Sequence, residues 1–279
     1  MRLAEGEIWR LLDTGVADAA TNMAIDEAIF IAHSQGLTSP TLRFYAWEPP
    51  AVSIGYAQKL EKEIDLEACR RLKVDWVRRL TGGRAVLHDR EVTYSVVARA
   101  DHPLMAGGIL PSYRRLSEAL AWGLRELGAP AELTSGRQGH AQEHTSAACF
   151  DAPSWYELSC GGRKVVGSAQ ARKKGVVLQH GSIVLELNAE LLFQVLKFPN
   201  EALRQELKRR FKNQACGLME IVGEKAQASQ VKESIVRGFE TLYGMRFVRG
   251  DLLPREQELK VELKAKYAGE AWNYGIKPV

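Results

Sequence analysis

Cys149 and Lys164 are the residues whose types and setting best suit group transfer. Cys149 ends a polar, glycine-rich run that starts at Thr134, and Pro153 closes it. A thiol is usually a small buried hydrophobe. One placed in a run with the composition of a surface loop is positioned to react. The working species would be the thiolate, which an ordinary cysteine of pKa ~8.5 populates to only a few per cent near neutral pH.

Downstream the pattern is a β-meander. Trp155 to Cys160 alternates, Gly161-Gly162 is a two-residue hairpin signal, and Arg163 to Gln170 alternates again before a basic turn into Val176 to Leu187. Strict alternation puts Lys164, Val166, Ser168 and Gln170 on one face and Val165, Gly167 and Ala169 on the other. Lys164 therefore either points to solvent or reaches into a cleft. The solvated reading is the favoured one, because Lys is rarely buried without a partner, and Gly167 shifts the balance only a little toward the cleft, since a strand-interior glycine often marks close approach of a ligand or another backbone.

A second constellation is Arg78-Arg79-Leu80-Thr81-Gly82-Gly83-Arg84, followed closely by His88-Asp89. Adjacent glycines let backbone N–H groups approach a ligand oxygen, because no Cβ stands in the way. The spacing is neither a Walker loop nor a dinucleotide fingerprint. A plain hairpin turn is the bland alternative; the flanking arginines and His88 favour a ligand loop. His88, His140, His144 and His180 are candidate bases, but the structural or exposed reading is favoured for each and none is named catalytic.

The elements that must position these residues follow from periodicity. Glu7 to Leu12 reads as a strand, and Asp18 or Thr21 caps a mostly apolar helix reaching about Ala32. Thr41 to Trp47, Ala51 to Tyr56 and Asp75 to Leu80 read as strands, with a short helix from Ile64 to Leu72 between the last two. Ala85 to Ala98 is a further strand or strand pair. Pro111 to Leu127 is the clearest helix, stopped by Gly128. Helices then follow over Ala189 to Lys197, Asn200 to Lys212, Ala215 to Val222, Ser229 to Tyr243 and Arg255 to Ala265, with a short strand at Met245 to Arg249.

This is an α+β pattern: a mixed β-sheet with helices packed on one face, then a helix-rich C-terminal region. The expected division is a catalytic domain over residues 1–198 and a helical region over 199–279 packed on it.

The chain has 279 residues, 46% hydrophobic and 26% charged, enough for one large domain with an appendage. No apolar run is long enough to span a membrane, and the N-terminus lacks a signal peptide's apolar core, so a cytoplasmic protein is expected. The four cysteines, Cys69, Cys149, Cys160 and Cys216, form no Cys-x-x-Cys pair, which argues against disulfide and zinc frameworks. The net charge of +4 does not call for nucleic-acid binding, although basic clusters could steer an acidic protein or a phosphate.

Several separated motifs together resemble the biotin/lipoate protein ligase and lipoyl transferase superfamily. They are the Arg78 to Asp89 segment, Gly162 to Gln170, Gln179-His180-Gly181-Ser182, and Lys266-Tyr267 with Trp272-Asn273. The segment from Cys149 to Glu157 narrows the resemblance to octanoyltransferases of the LipM type. The resemblance implies a class II aminoacyl-tRNA synthetase/biotin-ligase-like catalytic fold. It also implies transfer of octanoyl from octanoyl-acyl carrier protein to a lysine of the glycine cleavage H protein, with no cofactor, no metal and a monomeric enzyme.

By the same resemblance Cys149 would be the nucleophile and Lys164 the lysine beside the acyl carbonyl. Such an ammonium would also lower the thiol's pKa and stabilise each oxyanion, a contribution often worth about 3 kcal/mol. The Gly82-Gly83 loop would line the acyl pocket, and Arg79, Thr81, His88, Gly167, Ser168, Ala169, His180 and Gly181 are the further substrate-binding residues expected. Arg84 stands where many ATP-using lipoate ligases carry a third glycine. The rival readings are an ATP-dependent lipoate-protein ligase, an amidotransferase acting from H protein to dehydrogenase subunits, and a non-catalytic binding module.

Overall fold

The protein is described from a computed structural model, which covers residues 7–134 and 157–275; the strands and helices counted here lie within them. Strand β1 (Ile8–Ala17) leads to helix α1 (Ala19–Ser34), whose first turn is capped by Asp18 accepting from the Thr21 N–H at 2.7 Å. Strands β2 (Thr41–Trp47) and β3 (Ala51–Ile54) follow. Two short helices, α2 (Leu60–Glu63) and α3 (Leu66–Leu72), precede β4 (Asp75–Arg78). Strands β5 (Val86–His88) and β6 (Glu91–Arg99) lead into the long α4 (Ile109–Glu126) and then β7 (Ala131–Thr134).

After residue 156 come β8 (Glu157–Cys160), β9 (Arg163–Lys173) and β10 (Val176–Val184), the meander expected from the glycine pair and the basic turn. Helices α5 (Ala189–Val195), α6 (Glu201–Gln214), α7 (Met219–Val222) and α8 (Ala228–Tyr243) follow. Strand β11 (Arg246–Arg249), α9 (Pro254–Ala268) and α10 (Glu270–Tyr274) end the described chain.

Eight strands form one mixed sheet in the order β11-β1-β2-β6-β10-β9-β8-β7, in which β1 runs parallel to both β11 and β2 and the other pairs are antiparallel. A second, three-stranded sheet, β4-β3-β5, stands apart from it. Helices cover both faces of the large sheet, not one. Ile25, Ile29 and Phe30 of α1 pack on Leu12, Val97 and Leu178, whereas α4 and α8 cover the face carrying Phe44, Tyr94 and Val96. The reason lies in α1 itself: it is apolar nearly all round, so it needs the sheet on one side and α9 on the other, where Ala28 and Ala32 meet Leu259.

Two further elements depart from periodicity. Ala215 to Val222 is not one helix: Ala215 bridges Lys164 in parallel and the Cys216 N–H bonds to the Lys164 carbonyl at 3.0 Å, so only Met219–Val222 is helical and Cys216 lies outside it. Tertiary pairing has overridden local propensity. In β9, Leu158 pairs with Val166 but Ser159 pairs with Lys164, which leaves Val165 as the extra residue of a bulge. Alternation is thereby shifted by one at Lys164, which moves to the face of Gly167.

Helices α4 and α8 cross backbone to backbone. A Cβ at Gly238 would lie 2.2 Å from the Ala119 carbonyl oxygen, and one at Gly123 would lie 2.5 Å from that of Ser234. Helix propensity alone predicts that Gly238→Ala stabilises by ~1 kcal/mol. Separating the helices instead costs about 1–3 kcal/mol in overpacking. Net destabilisation is expected, measured as a lower denaturant midpoint at unchanged slope.

Candidate functional site

The strand register places one row of polar residues along the α1 face of the large sheet. Arg43, Tyr45 and Trp47 of β2 lie beside Thr93 and Ser95 of β6, which lie beside Ser182 and His180 of β10. In sequence such alternation marks a solvent face. Here the small sheet and α1 close over the row, so Arg43, Thr93, Ser95, His180 and Ser182 are all buried.

Between the two sheets remains a cavity of about 700 Å³, counted with its open mouth. Met23, Tyr45, Trp47 and Thr93 form its buried part. Gly83, Arg84 and Val86 lie on one side of the more exposed part, with Gly167, Ser168 and Ala169 of β9 on the other. The small residues of β9 leave the space open. Gly181 is needed for the same packing: a Cβ there would lie 2.5 Å from the Gly167 carbonyl oxygen and 2.8 Å from the Tyr94 ring.

The polar groups behind this wall satisfy one another. Asp26 accepts from Arg43 at 2.6 Å, Ser95 at 2.9 Å, Tyr45 at 2.9 Å and His180 Nδ1 at 2.9 Å. Since an ionised carboxylate only accepts, His180 carries its proton on Nδ1 and its Nε2 accepts from the Thr81 hydroxyl at 2.7 Å. Thr81 in turn accepts from Arg79 Nε at 3.2 Å.

Arg79 also begins a second relay. It donates to Ser53 Oγ at 3.0 Å, Ser53 donates to His88 Nε2 at 2.8 Å, and His88 Nδ1 donates to Glu91 at 2.8 Å. Glu91 accepts further from Thr93 at 2.5 Å and Ser182 at 2.9 Å, and Trp47 Nε1 donates to Thr93 at 2.7 Å. Trp47 stacks on the His88 ring at 4.1 Å. The guanidinium of Arg79 finally holds the carbonyls of Gly82 at 2.7 Å and Arg84 at 2.8 Å. Gly83 lies between them at φ +95°, where a Cβ would strike Arg79 at 2.8 Å. With their polar atoms turned to each other, these residues offer the cavity an almost wholly apolar lining.

Of the residues expected from sequence, Arg79, Gly83, His88, Gly167, Ser168, Ala169, His180 and Gly181 thus line one cavity. Thr81 stands behind it between Arg79 and His180, and Gly82 supplies a carbonyl to Arg79. Lys164 is buried and ion-paired with Glu157. Its stem crosses the cavity-lining Gly167, with Cε 3.3 Å and Nζ 3.7 Å from where a Gly167 Cβ would stand. Glu157 is the first residue of β8, directly after the segment that carries Cys149. Cys149, His140 and His144 lie outside the described residues.

Sequence reasoning missed Asp26, Arg43, Ser53, Glu91 and Glu157. For Asp26 a signal existed: a charged residue four positions after Asn22 on a helix otherwise apolar on most sides. The other three cysteines are buried, and burial pushes the Cys69 thiol up to about 12 and Cys160 to about 11, which makes them poor nucleophiles. Among the described residues no cluster of His, Cys, Asp and Glu could hold a metal ion, and no helix is long and apolar enough to cross a membrane.

Burial holds His180 below the usual imidazole value, more strongly than Asp26 pulls it up, and burial lowers His33 likewise. Burial alone would raise Asp26, but the Arg43 charge and the His180 hydrogen bond keep it below the usual carboxylate value. As pH falls through ~6.5 the unfolded chain takes up protons on both histidines while the folded chain does not, so stability declines below that pH. Asp26 adds its own loss only below pH ~4. The unfolding free energy should fall between pH 7 and pH 5, by up to about 1.4 kcal/mol per pH unit for each histidine, the thermal midpoint should fall with it, and His180→Gln should flatten the decline. Differential scanning calorimetry across that range checks it.

Comparison with known proteins agrees with this geometry. The lipoyl protein ligase A/B catalytic domain family matches residues 18–240. The octanoyltransferase LipM of Moorella thermoacetica is 66% identical over 266 residues, 95% of this chain and 97% of its own length. That of Kyrpidia tusciae is 50% identical over 272 residues, 96% and 99% of the two chains. Among solved structures, the bi-partite lipoate protein ligase of Thermoplasma acidophilum has a TM-score of 0.81 at 28% identity and covers 99% of this chain and 98% of that one. The chain belongs to the lipoyl protein ligase A/B catalytic family and, within it, to the LipM octanoyltransferases, and is accordingly an acyltransferase.

Proposed function

We propose that this acyltransferase moves an octanoyl group from octanoyl-acyl carrier protein to a lysine of the glycine cleavage H protein through a thioester on Cys149. The observation that carries the reading is the apolar cavity between the sheets with the Lys164–Glu157 pair against its Gly167 wall. An eight-carbon chain has no polar group to satisfy, and this lining offers it almost none.

The chemistry balances without ATP. The Cys149 thiolate attacks the donor's thioester carbonyl, the new S–C bond forms, and the carrier's thiol leaves. A lysine amine of the acceptor then attacks the acyl-enzyme, releases the Cys149 thiol and yields an amide more stable than either thioester. Each step passes through a tetrahedral oxyanion, for which the Lys164 ammonium is the proposed partner, with Glu157 holding it in place. Arg79, Thr81, His88 and His180 shape the pocket rather than transfer protons, because their hydrogen bonds are spent on one another and on Asp26 and Glu91.

Intact mass after mixing with octanoyl-acyl carrier protein and no ATP should show one hydroxylamine-labile octanoyl adduct, absent from Cys149→Ser. Lys164→Ala should slow adduct formation by roughly a hundredfold or more. Normal adduct formation in that variant would remove Lys164 from the mechanism. A solved lipoate-protein ligase A of the same fold is bound with ATP, which makes ATP-dependent activation the reading to exclude. Pyrophosphate exchange driven by lipoate and ATP would establish it and leave Cys149 a bystander. Comparing H protein with a dehydrogenase lipoyl domain as acceptor separates the proposal from amidotransfer.

A further inference from the structure

Helix α6 concentrates positive charge on one exposed face. Five basic side chains, Arg204, Lys208, Arg209, Arg210 and Lys212, stand against two acidic ones, Glu201 and Glu206, a net charge of +3 in a chain whose total is +4. Leu207 and Phe211 are buried in the core shared with Val52 and Ile54 of the small sheet, which turns the polar side outward. Gln205, Lys208, Arg209, Lys212 and Asn213 recur at helical spacing and line an open depression, where Arg209, Lys212 and Asn213 are exposed. Glu190 of α5 is shared by Lys208 at 2.9 Å and Lys212 at 2.7 Å. Arg209 has no ion pair among the described residues, so the face keeps an excess of cations.

What separates this face from an ordinary solvated one is where the helix ends. Ala215, directly after α6, pairs with Lys164, and the next N–H bonds to the Lys164 carbonyl at 3.0 Å. At 1.5 Å rise per residue, Arg209 stands roughly 9 Å along the axis from that junction. Lys208 and Lys212 lie one turn apart, the spacing of carboxylates one turn apart on a partner helix. A lone phosphate would need donors that converge, and these are strung along the axis. A nucleic acid would meet the Glu190 carboxylate and find no aromatic ring in the depression to stack on. We propose that the Lys208, Arg209 and Lys212 face of α6 docks the donor's carrier protein through an acidic helical face of that partner. The inference rests on the acyl-transfer reading above. The offset suits the donor, which presents its thioester on an extended prosthetic arm, whereas the acceptor must bring a four-carbon lysine stem to the acyl-enzyme.

The test compares the rate of acyl-enzyme formation from octanoyl-acyl carrier protein with that from octanoyl-N-acetylcysteamine, a thioester with no protein attached. Full-length wild type is set beside the triple variant Lys208→Gln/Arg209→Gln/Lys212→Gln and the charge-preserving Lys208→Arg/Arg209→Lys/Lys212→Arg. Neutralisation should slow loading from the carrier protein by roughly tenfold or more and flatten its dependence on salt, because facing charges act mainly on the association rate. Loading from the small thioester should be unchanged, which shows that the variant is folded and its site intact. The charge-preserving variant should load from the carrier at nearly the wild-type rate. Equal carrier rates in wild type and the neutralised variant, or equal losses with both donors, would overturn the docking assignment and leave the acyl-transfer reading standing. Normal loading with slowed transfer to H protein would give the face to the acceptor instead, and oligonucleotide binding lost on neutralisation with loading unchanged would give it to nucleic acid. Wild type that loads from neither donor would overturn the acyl-transfer reading and the docking assignment together.

Discussion

A carboxylate cut off from water must be surrounded by donors, and at Asp26 that requirement ties together four elements. Asp26 sits on α1, and its partners come from β2, β6 and β10: Arg43 and Tyr45, Ser95, and His180. Arg43 is itself fully buried and is further held by Asn22 and Thr14. Removing either charge would strand the other in a low-dielectric interior, at a cost of about 3–5 kcal/mol. What the charged pair adds is orientation: it fixes which nitrogen of His180 carries the proton, and through Thr81 and Arg79 it fixes the Gly82-Gly83 loop.

The two relays that meet at Arg79 explain how a cavity walled by histidines, serines and arginine can suit a hydrocarbon. Each side-chain polar atom of the relays is directed at a neighbour in the wall, so there the cavity meets ring faces, methylenes and glycine backbone. This would serve the thioester proposed above in two ways. A dry, fixed wall keeps water from the acyl carbonyl, and it lets any charge placed at the rim act at short range with little screening. The same arrangement argues against His88 and His180 as bases, because each already spends both ring nitrogens inside the wall.

What the sequence makes legible here is whatever depends on local pattern. The capping of α1 by Asp18, the span of α4, the meander around Gly161-Gly162 and the loop glycines all follow from period and turn chemistry. What it hides depends on distant partners. Thr93, Ser95 and Ser182 alternate with apolar residues as a solvated face would, and nothing in their own strands reveals that α1 and the small sheet bury them. Ala215 to Val222 has helical composition, yet its first residues are drawn into pairing with Lys164. A reader of one segment cannot see the strand waiting beside it.

The bulge at Val165 is the clearest case of a local irregularity with consequences for the site. Strict alternation separates Lys164 from Gly167, one toward each face of the sheet. Inserting one unpaired residue between Lys164 and Val166 reverses that, and both Val165 and Val166 are then buried in the core on the α4 side. Lys164 instead crosses Gly167, which has no side chain to obstruct it, and reaches the carboxylate of Glu157. The glycine and the bulge are thus complementary: the bulge turns the lysine to the cavity side, and the glycine leaves room for its stem. A regular strand with an alanine at that position would keep the fold and misplace the ammonium, so the position of this charge is decided by backbone geometry before any side-chain interaction is counted.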